Sequence, residues 1–198
     1  MKVSKINKLN QFISGWYINK KVCTDLIKYF EDSPNQQPGK LFVKGEPGID
    51  KKHKLSTDVF ILHSNQDKKI LNYSRELEKV VSQYKKQYTY CDWPHDNWSL
   101  ESYNIQRYKP NEGYFKEHCE RTGIPTAWRH LTYMTYLNDV KEGGETEFIY
   151  QKLKIKPETG LTLVWGTDWT TTHRGIVAKT ETKYIITGWF SYLGRYSK

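Results

Sequence analysis

From Trp98 onward the chain is a succession of short runs rich in β-branched and aromatic residues, each cut off by a turn signal. The runs are 101–109, 114–119, 129–138, 145–150, 153–156, 160–165, 172–178 and 183–192. Between them lie Pro110-Asn111-Glu112-Gly113, Gly123-Ile124-Pro125, Glu142-Gly143-Gly144, Lys156-Pro157-Glu158 and Gly166-Thr167-Asp168. No helical segment separates these runs. Such a pattern indicates a sandwich, a barrel or a jelly roll.

The first ninety residues read differently, as mostly helical with one early strand. Val22, Leu26, Ile27 and Phe30 form a helical stripe that ends in the breaker run Asp32-Ser33-Pro34-Asn35. Asp67 offers an N-cap to a helix running to about Tyr88, with Ile70, Leu77, Val80, Val81, Tyr84 and Tyr88 on one side. Asp58–Leu62 is a short strand, and 33–55 is a long surface loop rich in Pro, Gly, Asn and Lys that could cover a pocket mouth, as could Pro94–Trp98. The expectation is one domain over 1–198, with helical support and loop in 1–96 and a β core in 97–198.

Composition narrows the setting. A mean hydropathy of −0.80 and the lack of any apolar run near the roughly 20 residues of a membrane helix argue against a membrane span. The N-terminal segment has no continuous apolar stretch of the secretory kind. Cys23, Cys91 and Cys119 are odd in number and scattered, which points to reduced thiols and a cytoplasmic location. The formal net charge is +9. Its lysines, among them Lys40, Lys44, Lys51, Lys52 and Lys54, are dispersed along the first 55 residues. That is the pattern of a solvated surface more than of a nucleic-acid patch.

One constellation carries chemistry. His118 and Glu120 are two apart in a strand-like run and so project from one face, and His173 follows fifty-three residues later. Two imidazoles and one carboxylate on one face, with open positions opposite, are the ligand set of non-haem Fe(II) oxygenases. An isolated His-x-Glu has little force, because a strand histidine more often bonds a neighbour than a metal. No P-loop, zinc-type CxxC pair, or Ser/His/Asp or Cys/His nucleophile arrangement is present.

The surroundings supply the force. Tyr108-Lys109-Pro110-Asn111-Glu112-Gly113-Tyr114 through His118-Cys119-Glu120 is followed by Arg129 to Asn138, with Thr132 and Tyr136 within it. Glu142-Gly143-Gly144-Glu145-Thr146-Glu147-Phe148, Lys156-Pro157 with Gly160, His173-Arg174-Gly175 and Thr182 to Trp189 complete the series. Over residues 98–192 this resembles the prolyl 4-hydroxylase branch of the 2-oxoglutarate and Fe(II)-dependent dioxygenases. The resemblance implies a mainly β fold, a double-stranded β-helix (jelly roll) with N-terminal supporting helices. It implies Fe(II), 2-oxoglutarate and O2, with ascorbate a further candidate cofactor, and hydroxylation of a substrate C–H with release of succinate and CO2. The substrate it suggests is a prolyl residue of a peptide or protein.

Residue by residue, the resemblance assigns His118, Glu120 and His173 to the metal. Glu120 departs from the Asp usual in the family. Lys183 matches the basic residue that binds the distal carboxylate of 2-oxoglutarate, for which burial demands a cation. Tyr136 matches a donor to the same carboxylate, and Tyr108 a tyrosine near the metal-bound end of the cosubstrate. Thr187 and Trp189 share strand parity with Lys183 and face the same cavity. Arg129 has the opposite parity from Tyr136, so it reaches that cavity only if a bulge intervenes. His130 lies too far along its strand from Tyr136 to share that site. Cys119 alternates away from the ligands as a small core residue, and His53, His63 and His95 read as surface or loop residues. Two other readings compete: an oxygenase acting on nucleic acid, prompted by the charge, and a non-catalytic jelly-roll binding protein.

Overall fold

A computed structural model describes residues 1–7, 11–43, 46–93 and 98–192, with the side chains of 42–43 and 46–47 left aside. In chain order its N-terminal strands are β1 (Lys2–Val3), β2 (Ser14–Tyr17), β3 (Gln37–Pro38), β4 (Leu41–Val43), β5 (Glu46–Gly48), β6 (Lys54–Leu55) and β7 (Thr57–Ile61). The C-terminal strands begin with β8 (Trp98–Leu100), β9 (Tyr103–Tyr108), β10 (Gly113–Tyr114) and β11 (Arg129–Tyr136). They end with β12 (Thr146–Phe148), β13 (Leu153–Ile155), β14 (Leu161–Gly166), β15 (His173–Gly175) and β16 (Lys183–Tyr192). Two helices, α1 (Lys20–Glu31) and α2 (Lys68–Gln87), complete the frame.

The main sheet runs β1-β2-β14-β11-β16-β9-β7-β3, with β8 also on β16. Facing it is a smaller sheet, β13-β12-β15, to which His118 adds an isolated bridge opposite His173. All these pairings are antiparallel. The two facing sheets form the double-stranded β-helix expected from the sequence.

Period-two alternation divides the main sheet into two jobs. On β11, Leu131 and Tyr133 join the core under the helices, while Met134 and Tyr136 belong to the core between the sheets. On β16, Ile186 faces the helices and Ile185 faces inward. α1 and α2 bury Leu26, Phe30, Tyr73, Leu77 and Val80 against the outer face. Asn19 caps α1 by accepting from the Lys21 N–H at 2.9 Å, and Asp67 caps α2 by accepting from the Lys69 N–H at 2.7 Å. The Tyr73 hydroxyl pins α2 to the sheet through Thr135 Oγ1 at 2.9 Å.

Gly188 sits where two tyrosines press on β16. A Cβ there would overlap the Tyr133 hydroxyl and come within 2.8 Å of Tyr103 Cβ. Both rings are buried and cannot retreat. Gly188→Ala is therefore expected to cost about 1–3 kcal/mol through overpacking, read as a lower thermal midpoint; an unchanged midpoint would contradict this packing.

Three expectations about local structure need correction. The strand foreseen over 114–119 breaks after Tyr114, because β10 pairs with β6 for only two residues and the chain then turns toward the smaller sheet. The segment 33–55, foreseen as loop, carries β3, the hairpin β4–β5 and β6. Residues 1–96 also do more than supply helices: β1, β2, β3 and β7 are strands of the main sheet. These segments are too short, and too dependent on partners far away in sequence, to show a clear period of their own. The possible covering segment at Pro94–Trp98 and His95 lie outside the described residues except for Trp98. No helix among the described residues is long and apolar enough to cross a membrane.

Candidate metal centre and cosubstrate pocket

His118 lies beyond the end of β10, held extended by two backbone bonds to β15. Its N–H donates to the His173 carbonyl at 3.0 Å, and the His173 N–H donates back at 2.9 Å. The Glu120 N–H then donates to the Thr167 carbonyl at 3.0 Å. This irregular extended path keeps His118 and Glu120 on one face although no regular strand spans them. His118, Glu120 and His173 each offer a ligand atom, and these atoms all lie within 4.8 Å of one another. Glu120 Oε1 is 3.4 Å from His173 Nε2 and 3.7 Å from His118 Nε2.

The protonation states suit a cation. His118 Nδ1 is 2.9 Å from the Lys116 carbonyl, and His173 Nδ1 is 2.9 Å from the Thr171 carbonyl. A carbonyl only accepts, so each Nδ1 carries the proton and each Nε2 presents a lone pair toward Glu120. Burial, together with the nearby His173, pushes the His118 imidazole down to about 4, so it is neutral at pH 7. Burial would push the Glu120 carboxyl up, but the two imidazoles and the Arg129 guanidinium around it hold it below the usual carboxylate range. The His118 ring stacks on Tyr114, centroids 3.9 Å apart, and His173 packs between Phe148 and Trp165. Two imidazoles and a carboxylate, their ligand atoms gathered at one point, fit Fe(II).

The trio opens on a cavity of about 1180 Å³ whose wall also includes Lys183, Thr187 and Trp189. Lys183 is 4% exposed, and its Nζ donates to the Gly144 carbonyl at 3.0 Å. Gly143 and Gly144 turn that carbonyl inward through positive φ of 72° and 75°. No carboxylate pairs with Lys183 among the described residues, and burial pushes its ammonium down to about 8 despite the upward pull of Glu145. A buried, unpaired cation in a cavity wall is a strong attractor for an anion. Lys183 Nζ lies 3.9 Å from where a Cβ on Gly175 would stand, two residues beyond His173. The cation and the three ligand atoms therefore border the same space.

Residues 103–191 match the family profile described as the 2OG-Fe(II) oxygenase superfamily. They form a 2OG-Fe(II) oxygenase domain. The chain is accordingly a 2-oxoglutarate-dependent dioxygenase, and such a domain uses Fe(II), 2-oxoglutarate and O2. Comparison with curated protein sequences gives no match. Among solved structures, the viral collagen prolyl hydroxylase of Paramecium bursaria Chlorella virus-1, in complex with 2OG, superposes with a TM-score of 0.68 at 19% identity. That match covers 92% of this chain and 97% of the viral one. A prolyl-4-hydroxylase of Pseudomonas putida gives 0.68 at 15% identity, covering 93% and 94%. A prolyl hydroxylase of Trichoplax adhaerens, bound to a hypoxia inducible factor peptide fragment, gives 0.71 at 17%, covering 94% and 86%. At these identities the likeness speaks for the fold.

Around the oxygenase domain's cavity, the other residues singled out from sequence fall in several places. Tyr108 lines the cavity beside Lys183, whose Nζ is 5.1 Å from its ring centroid. Their register pairing across β9 and β16 fixes this. Tyr136 is fully buried behind the wall, its hydroxyl 2.7 Å from Thr146 Oγ1 and 3.1 Å from the Ile155 carbonyl; Thr146 lines the cavity. Thr187 lines it directly. Trp189 also lines it, but its indole N–H donates to Glu120 Oε2 at 2.9 Å. Cys119 is half-buried on the cavity wall, not in the core. His130 is tied to the Cys91 carbonyl and the Tyr192 hydroxyl, outside the cavity, and His53 and His63 bond Asp50 and Ser102.

Sequence reasoning undervalued three groups. The register of β11 on β16 slips between Arg129 and Leu131, the bulge that lets Arg129 face the cavity. Tyr114, in the Gly113-Tyr114 strand end, stacks on a ligand with no motif to announce it. Lys54, counted among the dispersed surface lysines, is 3% exposed and bound to Asp58 Oδ2 at 2.7 Å in the cavity wall. Ser56 Oγ donates to the other oxygen of Asp58, also at 2.7 Å. The Lys54, Ser56 and Asp58 alternation in the sequence was the available signal.

Proposed function

We propose that this dioxygenase hydroxylates a prolyl residue of a peptide or protein, with His118, Glu120 and His173 holding Fe(II) and Lys183 anchoring the distal carboxylate of 2-oxoglutarate. The observation that carries this reading is the convergence, on one cavity, of a three-ligand face and a buried ammonium without a carboxylate partner. Three ligands leave the opposite side of the metal open for a keto-acid and O2. With those bound, the metal supplies the oxidising step: substrate C–H, O2 and 2-oxoglutarate become C–OH, succinate and CO2. The protein's part is to place and exclude. Lys183 neutralises the buried carboxylate, Tyr108 and Thr187 shape the space around it, and Tyr136 acts behind Thr146 to hold that wall.

The prolyl assignment draws support from the fold shared with three enzymes described as prolyl hydroxylases. The rim carries both signs, with Lys40, Lys116, Glu101 and Glu117, which suits a peptide better than a polyanion. The chain reads as one domain, since strands from both halves build one sheet. Three free thiols fit a reducing, cytoplasmic setting.

Substrate choice is tested by supplying Fe(II), 2-oxoglutarate and O2 with proline-containing peptides or with DNA and RNA oligomers. Succinate formation coupled to gain of one oxygen atom on a peptide proline is the expected result. Coupled turnover on oligonucleotides alone, with binding that falls steeply with salt, would replace the prolyl reading.

A further inference from the structure

Glu120 is gripped on the side away from the histidines. Its Oε1 faces both Nε2 atoms, while Oε2 accepts the Trp189 indole N–H at 2.9 Å. The Arg129 guanidinium lies over the Trp189 ring, its Cζ 3.6 Å from the centroid, and its Nη1 donates to the Glu120 backbone carbonyl at 3.1 Å. Glu101 closes the frame. Its carboxylate is 3.5 Å from Arg129 Nε and accepts from the Ser191 hydroxyl, and its N–H donates to the Trp189 carbonyl at 2.9 Å. The bulge in β11 is what brings Arg129 into this frame.

The geometry points to a clamp: we propose that Trp189, backed by Arg129 and Glu101, is a positioning residue that holds Glu120 to one-oxygen coordination, and that the length of Glu120 is matched to it. This rests on the metal reading above and adds the reason for a Glu at position 120. A carboxylate with both oxygens free can bind a metal through both and so occupy a further coordination position. An indole N–H on Oε2 withdraws that oxygen and keeps the position open for the cosubstrate. A side chain one methylene shorter cannot place one oxygen between the histidines and the other on the indole at the same time. Groups that orient metal ligands through hydrogen bonds characteristically change affinity by about 10–100-fold when removed.

The test is a double-mutant cycle on the metal-free protein with Mn(II) as the probe, read by binding affinity and by water-proton relaxation, which reports metal-bound water. Trp189→Phe is expected to weaken Mn(II) binding roughly tenfold or more and to lower the relaxation enhancement, as the freed oxygen displaces a water. Glu120→Asp is expected to weaken binding by itself, and adding Trp189→Phe to it should change little, because the shorter carboxylate does not reach the indole. Trp189→Gln, which keeps a side-chain N–H at the same ε position, should bind Mn(II) more tightly than Trp189→Phe. If Trp189→Phe fails to fold, Trp189→Gln and Glu120→Asp carry the same comparison. Equal losses from Trp189→Phe in the Glu and Asp backgrounds, or none in either with unchanged relaxation, would overturn the clamp. Failure of the unmutated protein to bind Mn(II) would instead overturn the metal reading beneath it.

Discussion

His173→Ala is expected to abolish 2-oxoglutarate-dependent turnover while leaving the domain folded. His173 is the ligand that joins the two strands of the site: its ring faces Glu120 Oε1, and its backbone exchanges two hydrogen bonds with His118. The backbone bonds survive truncation, so the extended path through His118 and Glu120 stays in place. The side chain does not, and two ligands cannot hold the metal on one face. The loss in turnover should exceed the roughly 10–100-fold that removal of an outer partner costs. Truncating a buried ring between Phe148 and Trp165 should cost on the order of 1–3 kcal/mol, less than the 5–15 kcal/mol typical of a whole domain. The measurement is succinate release with circular dichroism as the folding control. Full activity in this variant would remove the metal assignment.

Lys183→Ala should spare the fold and strike the cosubstrate. Burying the ammonium without a counter-charge is unfavourable, so deleting it relieves a cost; the main loss is the hydrogen bond to the Gly144 carbonyl. The distal carboxylate of 2-oxoglutarate would then enter the cavity with no cation. Leaving one partner of a buried pair alone costs about 3–5 kcal/mol, a rise of roughly 10²–10³-fold or more in the 2-oxoglutarate requirement. The pH dependence has a definite sign. Below about 8 the ammonium is already charged and binding takes up no proton; above it, in the free protein, binding must first restore the charge. Affinity for 2-oxoglutarate should therefore fall as pH rises past about 8, by up to about tenfold per unit. That dependence should vanish in Lys183→Ala. If the variant unfolds while cosubstrate handling in the surviving fraction is normal, Lys183 is structural.

The sequence disclosed the parts of this protein that obey a period and concealed those that depend on a partner. α1 and α2 were legible because an apolar stripe and an Asn or Asp cap are local signals. Strands β11, β14 and β16 were legible because they are long enough to alternate several times. Period two placed His118 and Glu120 on one face even though the chain there is only an extended bridge. The same rule left Arg129 conditional on a bulge, which the register of β11 on β16 supplies but which nothing local announces. Trp189 was read as a wall of the cosubstrate pocket, yet its indole is committed to Glu120, sixty-nine residues earlier in the sequence. Lys54 looked like a surface charge because burial of its ion pair with Asp58 is decided by the sheet that covers it, not by its neighbours in sequence.

On the proposed reading, one cavity holds both the iron and the 2-oxoglutarate. It is tested most directly by anaerobic titration of the metal-free protein with Fe(II) and then with 2-oxoglutarate, following the visible charge-transfer band of a chelated keto-acid. The band should appear only when both are present, vanish in His173→Ala, and need far more 2-oxoglutarate in Lys183→Ala. No band in the folded, unmutated protein would contradict it.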